Sequence, residues 1–272
     1  MPPTFETLEL AIEEQVATVT LNRPDKANSM NATMWDELQS CFEWLDGEPG
    51  VRAVVLAGNG KNFCSGLDLG MFGEGGVTGS NPDNARRAEA FRRTILRLQG
   101  NLNAIENCRV PVLAAIHKAC IGGGIDMTCC CDMRYASEDA YFSIKEIDIG
   151  MTADVGTLQR LPKIIPDAAV RELAYTGRNM DAEEARKLGF INRVYPNRET
   201  LLKEVTAIAR DIAKKSPLAI RGTKEMLLYS RDHSVGEGLN YIATWNAGML
   251  SQADINTAIM AQMEKKQAEF DD

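Results

Sequence analysis

Five consecutive apolar residues, Val112 to Ile116, precede three consecutive glycines, Gly122 to Gly124, and then Ile125 to Cys131, which suits a short helix. A short apolar strand, a glycine turn and a helix in that order are the unit of an α/β domain. The order recurs upstream. Leu8 to Ile12 and Val16 to Leu21 read as strands separated by Glu13-Glu14-Gln15, and Asn31 to Leu45 has helical spacing at Met34, Leu38, Phe42 and Leu45. Val51 to Leu56 then reads as a buried strand, so the chain is expected to be α/β.

Gly73 to Asn84 is rich in Gly, Pro and Asn and predicts a loop ahead of a long helix over Ala85 to Ile105. Asp181 to Gly189 predicts a short helix with Asp181 as N-cap, Glu184 completing a capping box and Gly189 at the stop. Phe190 to Tyr195 reads as a strand. From about Arg198 onward strand signals vanish, and helical patterns are broken at Pro217 and around Ser230 to Val235. The apolar positions Leu239, Tyr241, Ile242, Trp245 and Met249 need a surface to cover, either their own core or another subunit, so oligomerisation is expected.

Composition removes several function classes. The 272 residues carry a formal charge of −8, with no Lys/Arg run that could serve as a nucleic-acid stripe, so nucleic acid is not an expected partner. No uninterrupted apolar stretch approaches the roughly 20 residues of a membrane helix, and no export or transit signal is visible at the start, so a soluble intracellular protein is expected. The odd count of seven cysteines, three of them consecutive at Cys129 to Cys131, does not suit a disulfide framework and fits a reducing compartment. The compartment itself (cytoplasm, mitochondrial matrix or peroxisome) is left open, since the last residues carry no Ser-Lys-Leu address.

Familiar catalytic motifs are missing or incomplete. Gly58-Asn-Gly-Lys61 lacks the leading glycine and the final Ser/Thr of a phosphate loop, and Gly122 to Gly124 has Met127 where a dinucleotide fingerprint needs its last glycine. Ser65 does not sit in a nucleophile elbow. With only His117 and His233, the chain has few bases for Ser/His or Cys/His catalysis and no metal-ligand spacing. His117 is expected at a strand end and His233 in a loop between helices.

The remaining glycine and carboxylate segments resemble a known family. Asn62-Phe-Cys-Ser-Gly-Leu-Asp-Leu69, His117-Lys-Ala-Cys-Ile-Gly-Gly-Gly-Ile-Asp126 and Cys131-Asp-Met-Arg-Tyr135 are similar to segments of the enoyl-CoA hydratase/isomerase (crotonase) superfamily. The likeness extends through Arg23 to Asn28, Leu158 to Pro162, Ala182 to Gly189 and the helical tail. It implies a ClpP-like spiral of ββα units over residues 1–200, with a helical trimerisation region over 201–272 and a homotrimer or a hexamer of two trimers. It also implies an acyl-CoA thioester substrate, no metal and no cofactor beyond the coenzyme A of the substrate. An enolate formed next to a thioester carbonyl needs two converging N–H donors. The resemblance assigns them to Leu67 and Gly123, assigns substrate contacts to Lys26, Ala27, Ser65, Gly66, Asp68, Leu69 and Gly124, and places coenzyme A itself near Lys26, Ala27 and the Phe63 to Leu69 segment. Taken alone, the glycine triplet favours a tight turn; paired with the Phe63 to Leu69 segment, the oxyanion-hole reading prevails.

The acids narrow the branch. Hydratases of this family carry glutamates at the positions of Asp126 and Glu146 and typically glycine at that of Asp154, whereas the trio Asp126, Glu146, Asp154 resembles the Δ3,5-Δ2,4-dienoyl-CoA isomerases. Shifting two conjugated double bonds toward the thioester takes a proton from C2 and delivers one to C6, which two separated acids can do. The expected roles are Glu146 as base at C2, Asp154 as acid at C6 and Asp126 as the group that tunes them. Enoyl-CoA hydratase, or a non-catalytic CoA-binding relative, is the alternative. Each acid also has a structural explanation: Asp154 as a helix cap, Asp126 as first-turn charge, and Glu146 as the surface partner of a lysine. Asp68, Asp132 and Asp148 are assigned mainly to structure, with Asp68 alone in a segment expected to touch coenzyme A.

Overall fold

The computed structural model describes residues 2–72 and 82–272. The loop expected over 73–84 lies largely outside them. β1 (Leu8–Glu13) returns as β2 (Val16–Leu21) through Glu14 and Gln15, both at positive φ (49° and 64°), a backbone twist suited to a two-residue antiparallel hairpin. α1 (Ala32–Gly47) starts on Asn31, whose side chain accepts from the Met34 amide, and buries the expected stripe together with Trp35 and Cys41. β3 (Ala53–Gly58) follows, then α2 (Asn84–Asn107), capped by Asp83. Next come β4 (Val112–Ile116), β5 (Ala119–Ile121), α3 (Gly123–Cys129), β6 (Met133–Ser137), β7 (Tyr141–Ser143) and a 3-10 turn at Glu146–Ile149. α4 (Thr157–Arg160), α5 (Asp167–Thr176), β8 (Met180–Asp181), α6 (Ala182–Leu188) and β9 (Arg193–Tyr195) complete the α/β part.

The strands form a six-stranded sheet in the order β1-β2-β3-β4-β6-β9 and a three-stranded sheet β5-β7-β8. All pairs from β2 to β9 in the large sheet are parallel. β4 enters the large sheet and β5 the small one before α3; β6 and β7 repeat that alternation. One turn earlier, β3 lies in the large sheet and Cys64 bridges to Cys120 of β5. This is the spiral of ββα units that the family resemblance implies, and it has a direct functional consequence. Cys64, Cys120 and Phe142 stand side by side, so the segments that follow them, ending in Leu67, Gly123 and Glu146, leave successive turns at the same station.

Alternate residues of the large sheet serve two cores. Val54, Leu56, Ala114 and Ile116 join the main core with α1 and α3, while Val55, Ala57, Leu113 and Ala115 face Leu201, Val205 and Ala209. Burial on both faces explains why β3 and β4 contain no charged residue. The second set belongs to α7 (Arg198–Ala213), so the boundary expected at residue 200 falls inside a helix that covers the sheet. The helices that follow are α8 (Pro217–Asp232), α9 (Val235–Met249) and α10 (Gln252–Glu264). Two of the expected details differ. The strand expected over Phe190 to Tyr195 contracts to β9, because the Phe190 and Ile191 amides still bond to the Ala185 carbonyl of α6. Asp181 does cap α6, but Glu184 binds the Arg178 guanidinium at 2.6 and 2.8 Å and forms no capping box.

All seven cysteines are buried and free. Burial pushes Cys64 and Cys129 up to about 12, so these thiols pack as small apolar groups and are not nucleophiles near neutral pH. Among the described residues no helix is long and apolar enough to cross a membrane.

Candidate active site

The common station brings two backbone amides together. Gly66 has φ +91°, and a methyl group placed on it would meet the Ile121 carbonyl oxygen at 2.9 Å and the Gly123 nitrogen at 3.6 Å, so only glycine allows the two turns to approach this closely. Gly123 is the first residue of α3, where an amide has no partner within the helix. Among the described residues neither the Leu67 nor the Gly123 amide donates to a protein acceptor, although the neighbours Met30, Asp68 and Gly122 all do. Two free N–H groups on adjoining segments, Gly123 at the start of α3 and Leu67 in the loop after Gly66, suit an oxygen that gains negative charge.

The three acids surround the same space. A methyl group on Gly122 would lie 3.0 Å from Glu146 Oε1 and 3.8 Å from the Gly66 Cα, which puts the Glu146 carboxyl beside both glycine segments. Asp126, fully buried in the first turn of α3, accepts from the Thr157 amide at 2.6 Å through Oδ1. Its Oδ2 and Glu146 Oε2 are buried without a hydrogen-bond partner. Unpaired buried carboxyl oxygens are rare, and two in one cavity mark a site prepared for protons or a ligand. Asp154 does not cap a helix, because α4 starts on Gly156. Glu146 does not pair with its neighbouring lysine either, since Lys145 binds Asp148 at 2.8 Å and the Gly177 carbonyl at 2.7 Å.

Burial, followed by the nearby Asp126 and Asp154 charges, pushes Glu146 up to about 7. Burial likewise lifts Asp126 to about 6, with Thr157 hydrogen bonds opposing and Asp154 adding to the rise. Asp154 is also raised, by burial. Carboxyls that share a cavity titrate as a set, and such a set holds protons at pH values where isolated carboxyls are ionised.

The raised Asp126 value has a stability consequence. Its neutral form is favoured in the folded chain, so its contribution is fully present below the ordinary value of 3.8 and is lost as pH climbs through about 6. Asp126→Asn keeps an oxygen for the Thr157 amide and removes the charge. It is expected to raise the melting temperature at pH 8 by on the order of 5 °C, corresponding to about 3 kcal/mol, with little change at pH 4. Thermal melts at the two pH values check this, and equal shifts at both would contradict it. Loss of that charge should also lower the Glu146 value, moving the acid limb of the activity profile to lower pH.

A cavity of about 240 Å³ holds these groups together. Ser65, Gly66, Leu67, Leu69, Gly123, Asp126, Glu146 and Asp154 all line it. Four other expected contacts do not. Gly124 packs on Cys64, where a methyl group would meet the Cys64 Cβ at 3.1 Å. Asp68 binds Arg23 Nη1 at 2.9 Å, Ser29 Oγ at 3.2 Å and the Gly70 amide at 3.1 Å, which hold its carboxyl below the usual range and fix the loop after Leu67. Lys26 and Ala27 form a surface turn beside the cavity segment, with the Ala27 carbonyl accepting from the Ser65 amide at 3.0 Å. His117 and His233 lie elsewhere, bonded to the Gly60 and Tyr229 carbonyls at 3.1 and 2.7 Å. Asp132 pairs with Lys224 at 2.8 Å.

The sequence profile of enoyl-CoA hydratase/isomerase matches residues 11–272. The chain belongs to the enoyl-CoA hydratase/isomerase family. Among curated relatives of this family member, the mitochondrial Δ(3,5)-Δ(2,4)-dienoyl-CoA isomerase of Rattus norvegicus is 46% identical over 264 residues, which is 96% of this chain and 81% of the relative. The peroxisomal Δ(3,5)-Δ(2,4)-dienoyl-CoA isomerase of Arabidopsis thaliana is 45% identical over 268 residues, covering 98% of this chain and 96% of its own length. Among solved structures, an enoyl-CoA hydratase of Bacillus anthracis superposes with a TM-score of 0.87 at 28% identity, covering 98% of this chain and 99% of that one.

The cavity of this family member also contains residues that sequence reasoning missed. Phe91, Ile95 and Leu98 of α2, Trp35 of α1, and Ile149 and Met151 form much of its wall. The helical spacing of Phe91, Ile95, Leu98 and Trp35 is the same signal that marks ordinary core residues, and Ile149 and Met151 lie at and after the 3-10 turn, outside any helical pattern. Trp35 carried one further sign visible only in the fold: its indole N–H is buried without a partner.

Proposed function

We propose that the chain is a Δ3,5-Δ2,4-dienoyl-CoA isomerase. The observation that carries the reading is the presence of Asp154 with Glu146 and Asp126 in one apolar-walled cavity beside the two free amides. The thioester oxygen accepts from the Leu67 and Gly123 amides. Glu146 removes a proton from C2, and the electron pair spreads through C2–C3 and C4–C5 while the thioester oxygen gains charge. Asp154 delivers a proton to C6, which leaves double bonds at C2 and C4. One proton is taken and one is given, so no oxidant or added cofactor is needed. Asp126 keeps a proton near Glu146 by raising its affinity. The apolar wall offers few groups to orient a water, which disfavours addition of water to the 2,4-dienoyl product.

In this reading coenzyme A lies along Lys26, Ala27 and residues 65–69, with the acyl chain running toward Phe91 and Ile95. The unit that performs the chemistry extends through α7, and α8 to α10 form the assembly region of a homotrimer or a dimer of trimers. Leu239 and Val235 on α9 and Met263 on α10, at 64%, 79% and 80% exposure, supply an apolar surface that assembly would cover.

Incubation of the purified chain with 3,5-dienoyl-CoA is expected to move the ultraviolet absorbance to the band of a diene conjugated with the thioester. Unchanged 3,5-dienoyl-CoA beside rapid hydration of 2-enoyl-CoA would overturn the reading in favour of a hydratase. Acyl-CoA binding without turnover of either substrate would favour a non-catalytic relative.

A further inference from the structure

One polar side chain grips the segment that carries Asp154 without facing the acyl cavity. Gln99 Nε2, on α2, donates to the Asp154 carbonyl at 2.7 Å. It lines a separate polar cavity of about 360 Å³ together with Asn103, Gly156 and Arg160. The same face of α2 continues the grip one and two turns later, as expected for residues three and four apart. Asn103 Oδ1 accepts from Arg160 Nη2 at 2.7 Å, and Glu106 accepts from Arg160 Nε and Nη2 at 3.1 and 2.9 Å. The segment from Asp154 to Arg160 is therefore held at three points: the Asp154 carbonyl by Gln99, the Thr157 amide by Asp126, and the Arg160 guanidinium by Asn103 and Glu106. Between the first two points stands Gly156 at φ +133°, which imposes little backbone preference of its own. The Gln99 bond therefore fixes the backbone from which the Asp154 carboxyl projects.

We propose that Gln99 is a positioning residue for the acid that protonates C6. The proposal rests on the isomerase reading above. It distinguishes the two ends of the reaction, because Gln99 does not line the cavity that holds Gly66, Gly123 and Glu146, and its side chain bonds to the Asp154 segment instead. Ile95, one turn before Gln99, lines the acyl cavity, so the same helix sets both the wall along the acyl chain and the aim of the acid.

The test uses the full chain with Gln99→Met, which keeps length and helix propensity and removes the donor. Two rates are measured on 3,5-dienoyl-CoA in deuterium oxide: isomerisation, and deuterium exchange at C2. The expected result is a roughly tenfold fall in kcat for isomerisation, with KM and C2 exchange within about twofold of the unaltered chain. A general structural role would lower both rates together. An equal fall in both, or unchanged isomerisation, overturns the proposal. Circular dichroism verifies folding, and should Gln99→Met not fold, Gln99→Asn, whose amide falls one methylene short of the carbonyl, is judged by the same criteria. Absence of isomerisation by the unaltered chain would instead remove the isomerase reading, and the proposal with it.

Discussion

Glu146→Gln is expected to lower kcat for isomerisation by about 10³-fold, within the usual range for loss of a general base, while acyl-CoA binding changes little. Glutamine has the same shape and fits beside Gly122, but it accepts no proton from C2. The exchange of C2 hydrogen with deuterium oxide should disappear along with isomerisation, because both pass through the same proton removal. The pH profile adds a second check. With Glu146 raised to about 7, the unaltered chain should lose kcat/KM as pH falls through that value, since protonation removes the base. A Glu146→Gln chain that retains a tenth of the rate, or an unaltered chain at full activity at pH 5, would contradict the assignment.

Asp154→Asn is expected to separate the two half-reactions. Isomerisation should fall by about 10²- to 10⁴-fold for want of a proton at C6, whereas C2 exchange continues because Glu146 and the two amides remain. The result is the reverse of a simple loss of fold, which abolishes both. Mass spectrometry of recovered 3,5-dienoyl-CoA reads the exchange, and absorbance reads the isomerisation. Exchange and isomerisation lost in parallel would assign Asp154 to substrate binding or to structure.

The chemistry-bearing half of this site is legible in the sequence for physical reasons. Gly66 and Gly122 stand where two turns of a spiral nearly touch, and such contacts leave glycines in short, recognisable runs. Asp126 follows the second run by four residues, so there sequence proximity stands in for spatial proximity, whereas Glu146 is brought beside it by the pairing of β5 with β7. The other half of the cavity comes from α1 and α2. Nothing in the local pattern of Phe91, Ile95 or Leu98 separates a cavity wall from a core face, because both need the same apolar stripe. Asp68 and Gly124 stand outside the cavity lining for a related reason. A residue inside a ligand-binding segment can turn toward the protein instead, Asp68 to Arg23 and Gly124 to Cys64. Glu184 shows the same competition at a helix end, where Arg178 offers a bidentate partner that a capping box does not match. Gln99 carried no signal at all, since an amide on an otherwise ordinary helix becomes informative only when the Asp154 carbonyl is seen opposite it.

The most direct test of two separated acids carrying protons between C2 and C6 is the position of label in the product. The unaltered chain is run on 3,5-dienoyl-CoA in deuterium oxide, and the product is isolated for mass and NMR analysis. The account predicts 2,4-dienoyl-CoA with deuterium delivered at C6 and no added water. A hydroxyacyl-CoA product, or a 2,4-diene with no label at C6 whatever the extent of C2 exchange, would contradict it.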